Sequence, residues 1–242
     1  MARGPSYDDV RGALAAQWEL LADTLETLDP AGPTACAGWT VADLHTHVAL
    51  TAVSLGRAAA SPVGGGATGG LDAWARQLPQ HAAALDAAAR GPREALRPAA
   101  RRTLDALAGA DPDAVVEQLT GRHRLLDACL FRLVEGVVHG LDVNLDPDRT
   151  ALKLVTRELA RALAARHPGK TVEVRVPPYA AVQCLTGPRH TRGTPPNVVE
   201  TDAVTWVRLA TGRVTWREAV GSGRARASGE RSDLSSVLPL LT

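Results

Sequence analysis

Apolar residues recur every three or four positions over most of the first 143 residues, the spacing of helices that bury one face. Ser6 precedes two aspartates and Thr40 precedes Asp43 by three positions, and both patterns are typical of helix N-termini. The pattern predicts helices over residues 6–28, 40–60, 71–90, 93–108 and 125–143. Gly91-Pro92 breaks or kinks the run 71–108, so these segments amount to four long helices and predict an antiparallel four-helix bundle.

After Asp146-Pro147-Asp148 the residue pattern changes from long helical segments to a mixture of helical and strand-like segments, and we interpret this tripeptide as a domain boundary. Asp202 and Gly212 are typical of the start and the end of a short helix. The other predicted elements are a helix over residues 152–167, strands over 171–176, 181–185 and 224–228, and a short helix over 233–238. The sequence therefore predicts two domains, a helical bundle over residues 1–147 and a small α+β domain over residues 148–242.

Two loops are rich in glycine or proline. Residues 61–70 predict a flexible connector, with a mobile lid as the alternative. Residues 187–197 carry Arg189, His190 and Arg192. We interpret His190 as a solvated loop residue, with an anion-binding role as the alternative.

Composition narrows the class of protein. Of the 242 residues, 45% are hydrophobic and 22% are charged, as in ordinary soluble domains, and the net charge of +1 gives no basis for binding nucleic acid. Arginine supplies nearly all of the positive charge, and alanine, glycine and proline are abundant, which favours a GC-rich bacterial genome. The three cysteines are Cys36, Cys129 and Cys184, and their wide spacing predicts neither a disulfide framework nor a zinc knuckle. No apolar run is long enough for a membrane span and the N-terminus lacks a signal peptide, so we expect a cytoplasmic protein of undefined oligomeric state.

Candidate chemistry lies on the predicted helix 125–143. Glu135 and His139 are four residues apart, so they share one helix face, and Asp142 follows on the same strip. A carboxylate and an imidazole so placed can hold one divalent metal. The alternative is an amphipathic helix with a solvated polar strip. Phe131 and Val138 interleave with these polar residues, however, and a helix that is apolar nearly all round is usually buried, so its charges need partners.

The remaining histidines divide into two groups. His81, His123 and His167 lie near predicted helix ends or among arginines, and we interpret them as solvated. His45 and His47 flank the apolar stripe of the predicted helix 40–60 on opposite sides. Periodicity does not choose between these two.

Two segments carry a resemblance to a known family. Residues 36–48, Cys-Ala-Gly-Trp-Thr-Val-Ala-Asp-Leu-His-Thr-His-Val, resemble the N-terminal motif of the mycothiol-dependent maleylpyruvate isomerase family, whose members are DinB-like metal-binding bundles. Residues 132–142 resemble the second motif of that family. The family places a histidine eight residues after the tryptophan of the first motif, so the resemblance selects His47, eight residues after Trp39.

The resemblance implies a metal site and a chemistry. By matching position, the ligands of Zn²⁺ or another divalent metal would be His47, Glu135 and His139. The resemblance implies that the sulfur of mycothiol takes the open position and that an actinobacterium is the source. Arg132 could pair with Glu135 or Asp142 or meet an anionic substrate, and Asp142 would orient His139 or brace the helix rather than bind the metal.

The predicted α+β domain resembles sterol-carrier-protein-2-like (SCP2-like) domains through residues 202–213 and 223–229. The resembled isomerase uses C-terminal residues, including an arginine, beside the thiol. The sequence offers four arginines for that role and singles out none of them: Arg208, Arg213, Arg224 and Arg226.

Together these observations give a leading hypothesis and two alternatives. The leading hypothesis is a mycothiol-dependent transferase or isomerase that acts on a small electrophile through a metal-activated thiolate. The first alternative is a non-catalytic protein that binds a lipid or another small molecule in the SCP2-like domain, with a vestigial or structural metal site. The second is an interaction protein whose polar helical strip is solvated.

Overall fold

The structure is a computed structural model that describes residues 4–187 and 197–241. The chain divides into two compact units, Met1–Ala151 and Leu152–Thr242. Long helices form most of the first unit, and a small mixed sheet with short helices forms most of the second. The predicted fold class, a helical bundle followed by a small α+β domain, is confirmed. The predicted domain boundary between residues 147 and 148 stays a prediction.

The described residues of the first unit form five helices in the segments that the apolar spacing predicts, and the run 71–108, counted above as one long helix, is two separate helices. The five helices are α1 (Tyr7–Thr27), α2 (Val41–Ala60), α3 (Leu71–Ala89), α4 (Leu96–Leu107) and α5 (Leu125–Asp142). Helix α2 packs on α4, α1 packs on α5, and α3 packs on α2. The predicted cap of α2 is confirmed, because Thr40 Oγ1 accepts from the Asp43 amide while the Asp43 carboxylate accepts from the Thr40 amide. Two orphan amides at the start of α2 are thereby satisfied.

Small residues let these helices approach closely. A Cβ at Gly56 would lie 2.7 Å from Thr103 Oγ1, so only glycine fits where α2 meets α4. Gly136 and Gly140 do the same for α5, where Gln17 of α1 donates from Nε2 to the Gly136 carbonyl at 3.2 Å. The glycines between the polar residues of α5 therefore allow α1 to pack closely against α5.

A short hairpin precedes α5 and was not predicted. Its strands are β1 (Val115–Gln118) and β2 (Gly121–Arg124), paired antiparallel with Val116 opposite His123. Each strand has only four residues and little apolar alternation, so the pattern favoured a loop.

The prediction that His123 is solvated is wrong, because none of its surface is exposed. Its ring nitrogens lie 3.2 Å from Thr120 Oγ1 and 3.3 Å from the Gly69 carbonyl, and its ring stands perpendicular to that of Phe131 with the centroids 5.1 Å apart.

The second unit contains a four-stranded sheet. Its elements are α6 (Arg149–Arg166, which starts in the first unit), β3 (Val172–Val176), β4 (Ala180–Cys184), β5 (Val198–Thr201), α7 (Ala203–Ala210), α8 (Trp216–Gly221) and β6 (Ala225–Ser228). The strand order is β4-β3-β5-β6, in which β3 and β5 are parallel and the other pairs are antiparallel. The predicted strands and the helix capped by Asp202 are confirmed, whereas β5 and α8 were not predicted.

The predicted helix over residues 233–238 is wrong. The segment forms one turn, in which the amides of Val237 and Leu238 both donate to the Leu234 carbonyl. Pro239 follows directly and disfavours helical backbone at the residue before it, so the turn does not propagate. The residues of the predicted loop 187–197 that carry Arg189, His190 and Arg192 lie outside the described part of the chain. Within the described part, every helix is too short or too polar for a membrane crossing.

Candidate metal centre

Helices α2 and α5 bring three potential metal ligands together. His47 Nε2 lies 3.1 Å from Glu135 Oε1, and His139 offers a ring nitrogen within 4.8 Å of both partners. The imidazoles of His47 and His139 meet edge to face, with centroids 5.1 Å apart. All three side chains are nearly inaccessible to solvent. The interpretation of α5 as a helix with a solvated strip is therefore wrong.

The two neighbouring histidines of α2 have different surroundings. His47 reaches Glu135, whereas His45 Nε2 accepts a hydrogen bond from the Leu96 amide at the first residue of α4. His45 thus satisfies a helix N-terminus that has no side-chain cap of its own. The structure therefore distinguishes His47, which lies in the cluster, from His45, which lies outside it, a choice that periodicity left open.

A buried arginine holds Glu135 in its ionised form. Arg132 Nη1 donates to Glu135 Oε2 at 2.9 Å, and Arg132 is 7% exposed. Burial alone would raise the pKa of Glu135, but the positive charge of Arg132 and the hydrogen bond from His47 outweigh it and hold the pKa well below its usual range. Of the two sequence interpretations of Arg132, the structure shows the ion pair with Glu135.

A buried carboxylate orients His139. Asp142 Oδ2 lies 3.0 Å from His139 Nδ1, and Asp142 is 3% exposed. Burial lowers the pKa of His139 although Asp142 acts in the opposite direction, so the imidazole is neutral at pH 7. With Nδ1 turned to the carboxylate, Nε2 is the nitrogen left to bind a metal.

Cys36 also reaches this cluster, which sequence reasoning did not anticipate. Its Sγ lies 3.1 Å from Asp142 Oδ2 and 3.7 Å from His139 Nδ1. These three residues form a second group whose ligand atoms lie close together. The position of Cys36 at the start of the motif that contains Trp39 and His47 was the sequence signal that could have placed it near the cluster.

Trp39 lies against both histidines. Its ring centroid is 4.9 Å from that of His47 and 6.2 Å from that of His139. Its Nε1 donates to Asp86 near the end of α3 at 2.7 Å, and Asp86 also pairs with Arg90. The loop before α2 is thereby tied to α3, and an aromatic ring walls one side of the cluster.

The donor set fits a divalent metal of zinc type. Two imidazoles and one ionised carboxylate are ligands that zinc accepts, and three protein ligands leave a position for a further one. The second nitrogen of His139 already has a carboxylate partner, which is the usual outer support of a metal-binding histidine. The residues present are thus compatible with the metal that the motifs imply.

The four arginines suggested for thiol binding all belong to the second unit. Arg208 is in the last turn of α7, and Arg226 is on β6. Arg213 Nη1 donates to the Thr211 carbonyl, and Arg224 Nε donates to Ser222 Oγ. A role for any of them beside a thiol stays a prediction.

Comparisons with known proteins agree with this architecture. The sequence model of the mycothiol maleylpyruvate isomerase N-terminal domain matches residues 12–144, more than half of the chain, and a model described as bacterial SCP ortholog matches residues 148–240. No curated protein matches the chain.

Two solved structures share the fold over 93% of this chain and 93% of their own. The crystal structure of the mycothiol-dependent maleylpyruvate isomerase has a TM-score of 0.61 at 15% sequence identity, and a histidine-to-alanine mutant of that enzyme has a TM-score of 0.60 at 16% identity. At such low sequence identity, the structural similarity shows only that the fold is shared. Since the match over residues 12–144 is to the sequence of the family itself, the chain belongs to the mycothiol maleylpyruvate isomerase N-terminal domain family.

Proposed function

We propose that this protein binds one Zn²⁺ through His47, Glu135 and His139 and uses it in a mycothiol-dependent transferase or isomerase reaction. The observation that carries the proposal is the buried ligand set, in which Arg132 holds the carboxylate ionised and Asp142 orients an imidazole. Buried ionised groups are costly unless they are paired or bind a metal. We assign the metal-binding bundle to residues 1–147 and the SCP2-like domain to residues 148–242.

Each residue of the centre has a distinct role in the proposal. Asp142 accepts a hydrogen bond from the Nδ1–H of His139 and so presents Nε2, and Arg132 balances the charge of Glu135. Trp39 covers the imidazoles on one side and limits the approach of water there. Zinc in such a site stabilises the thiolate form of a bound thiol at neutral pH, which supplies a nucleophile.

The proposed substrates are a low-molecular-weight thiol and a small electrophile. The family of the chain and the solved structures that share its fold support mycothiol as the thiol. A thiolate that adds to an electron-poor double bond and is eliminated again after rotation about that bond brings about an isomerisation. A thiolate that displaces a leaving group and stays attached to the substrate brings about a transfer.

Metal content tests the ligand assignment. We expect about one zinc per chain in the purified protein and less than about a tenth of that in His139→Ala, because a site with two ligands binds weakly. His45→Gln is the matched control, since it removes an imidazole of the same bundle that lies outside the cluster. Circular dichroism should show a helical protein in all three cases.

The other outcomes are equally informative. Stoichiometric zinc in His139→Ala would contradict the ligand assignment. No metal in any of the three proteins, even after zinc is supplied, would favour the alternative of a lipid-binding or small-molecule-binding SCP2-like domain. Once the metal site is established, the activity is tested by following the conversion of a small electrophile. Conversion that depends on both zinc and mycothiol would establish the activity.

A further inference from the structure

Two donors converge on one oxygen of Asp142. His139 Nδ1 lies 3.0 Å from Asp142 Oδ2, and Cys36 Sγ lies 3.1 Å from the same atom. A thiol is a weak donor, and the carboxylate is the strongest acceptor within its reach. Because the carboxylate is 3% exposed, solvent has little access to replace either donor.

The loop over residues 33–39 holds the thiol in place. The Cys36 amide donates to Thr34 Oγ1 at 3.2 Å, and the Trp39 amide donates to the Cys36 carbonyl at 3.0 Å. The Ala35 amide donates to the Asp142 carbonyl at 2.9 Å, which fixes the loop to the last residue of α5. The position of Cys36 relative to Asp142 is therefore set by backbone contacts as well as by its own side chain.

We propose that Cys36 is a positioning residue of the metal centre and acts through Asp142 on His139. A second donor at the same carboxylate oxygen narrows the orientations that the carboxylate adopts about its terminal bond. The observed orientation aims Oδ2 at the His139 N–H and so fixes the ring that presents Nε2. The inference rests on the proposed metal site, and it adds a residue that the ligand motifs do not contain.

Direct binding of the metal by the thiol is the competing explanation. Cys36 lies on the Nδ1 side of the His139 ring, and the lone pairs of the two imidazole nitrogens diverge. A single ion shared with His47 and Glu135 uses the Nε2 side, so the thiol is not its ligand. The geometry thus favours support of the ligand over ligation.

Metal affinity, measured by competition with a chromophoric zinc chelator, tests the proposal in the full-length protein. We expect Asp142→Asn to weaken zinc binding about 10- to 100-fold, as for other outer partners of ligand histidines. Cys36→Ala should weaken it about three- to tenfold, because one weak hydrogen bond is lost. Cys36→Ser should recover most of the affinity, since a hydroxyl can donate to the same carboxylate.

Thr34→Val is the control for the loop, since it removes the hydrogen bonds of Thr34 Oγ1 with the Cys36 amide and with the Cys36 and Trp39 carbonyls and leaves the thiol unchanged. We expect Thr34→Val to weaken zinc binding less than Cys36→Ala does, because the Ala35 amide still fixes the loop to Asp142 and the thiol remains. An equal loss of affinity in Thr34→Val and Cys36→Ala, accompanied by an equal drop in the melting temperature of the metal-free proteins, would overturn the proposal in favour of a structural role.

Two further results would also overturn it. Wild-type affinity in Cys36→Ala, with weakened binding in Asp142→Asn, would remove Cys36 from the centre and leave the metal site intact. An intense near-ultraviolet thiolate band in the Co²⁺-loaded wild type that Cys36→Ser abolishes would show direct ligation. Absence of zinc binding by the wild type would instead refute the proposed metal function, and this inference with it.

Discussion

Two clusters of ionised side chains in the helical unit have similar N–O distances, but one cluster is exposed to solvent and the other is buried. On the surface, Arg97 of α4 meets three acidic residues of α1, and its Nη2 lies 2.7 Å from Asp23 and 3.0 Å from Glu26. Between α2 and α5, Arg132 Nη1 lies 2.9 Å from Glu135. The side chains of Asp23 and Glu26 are 63% and 46% exposed, whereas that of Glu135 is 11% exposed.

The two clusters differ in their contribution to the free energy of folding. Exposed ion pairs gain little, because water and salt screen them and long side chains lose freedom when they pair. Buried charges lose their hydration, and an apolar pair of similar volume is often more stabilising. The surface cluster can therefore be understood as a modest tie between α1 and α4. The buried cluster is poorly explained by stability, and the proposed role of Glu135 as a metal ligand accounts for it.

The largest expected effect is on the stability of the buried cluster. In metal-free protein, Glu135→Ala should lower the free energy of unfolding by about 3–5 kcal/mol, because it leaves the Arg132 guanidinium buried without its carboxylate. Urea denaturation measures the loss. The double variant Arg132→Met/Glu135→Leu should be more stable than Glu135→Ala, since it removes both charges. A double variant less stable than the single one would contradict this explanation.

An intermediate effect is expected from the buried histidines. Burial lowers the pKa values of His123 and His139, so below about pH 6.5 the unfolded chain binds protons that the folded protein does not. Their contribution to the free energy of unfolding is complete above that pH and is lost as the pH falls towards their pKa values in the folded protein. The slope of the free energy of unfolding against pH is up to about 1.4 kcal/mol per pH unit for each histidine.

Urea denaturation of metal-free protein between about pH 5 and pH 8 measures this slope. We expect His123→Gln to have a flatter slope than the wild type, whatever its stability at neutral pH. A wild-type stability that rises as the pH falls through this range would contradict the burial argument.

The smallest effect is expected at the surface. Arg97→Ala removes all the ion pairs of the surface cluster, and we expect only a minor shift of the denaturation midpoint, smaller still at high salt. A loss as large as that of Glu135→Ala would erase the contrast between the two clusters.

The elements that the sequence predicted correctly are those with strong local signals. The five helices of the first unit and the helix capped by Asp202 follow from apolar spacing and capping residues. The hairpin β1–β2 and the strand β5 were missed because their four-residue strands lack the alternation of apolar and polar residues that made β6, which is equally short, predictable. The burial of His123 was missed because the hairpin that places it against Phe131 was missed.

The candidate site divides in the same way. The sequence by itself determined that Glu135, His139 and Asp142 share one helix face, since helical geometry fixes neighbours three and four residues apart. Family resemblance, rather than periodicity, selected His47. Only the tertiary structure decided that His47 and Cys36 meet that face, because they come from a helix and a loop 88 and 106 residues away from their partners along the chain. Contacts at such separations depend on how whole elements pack, and no local spacing encodes them.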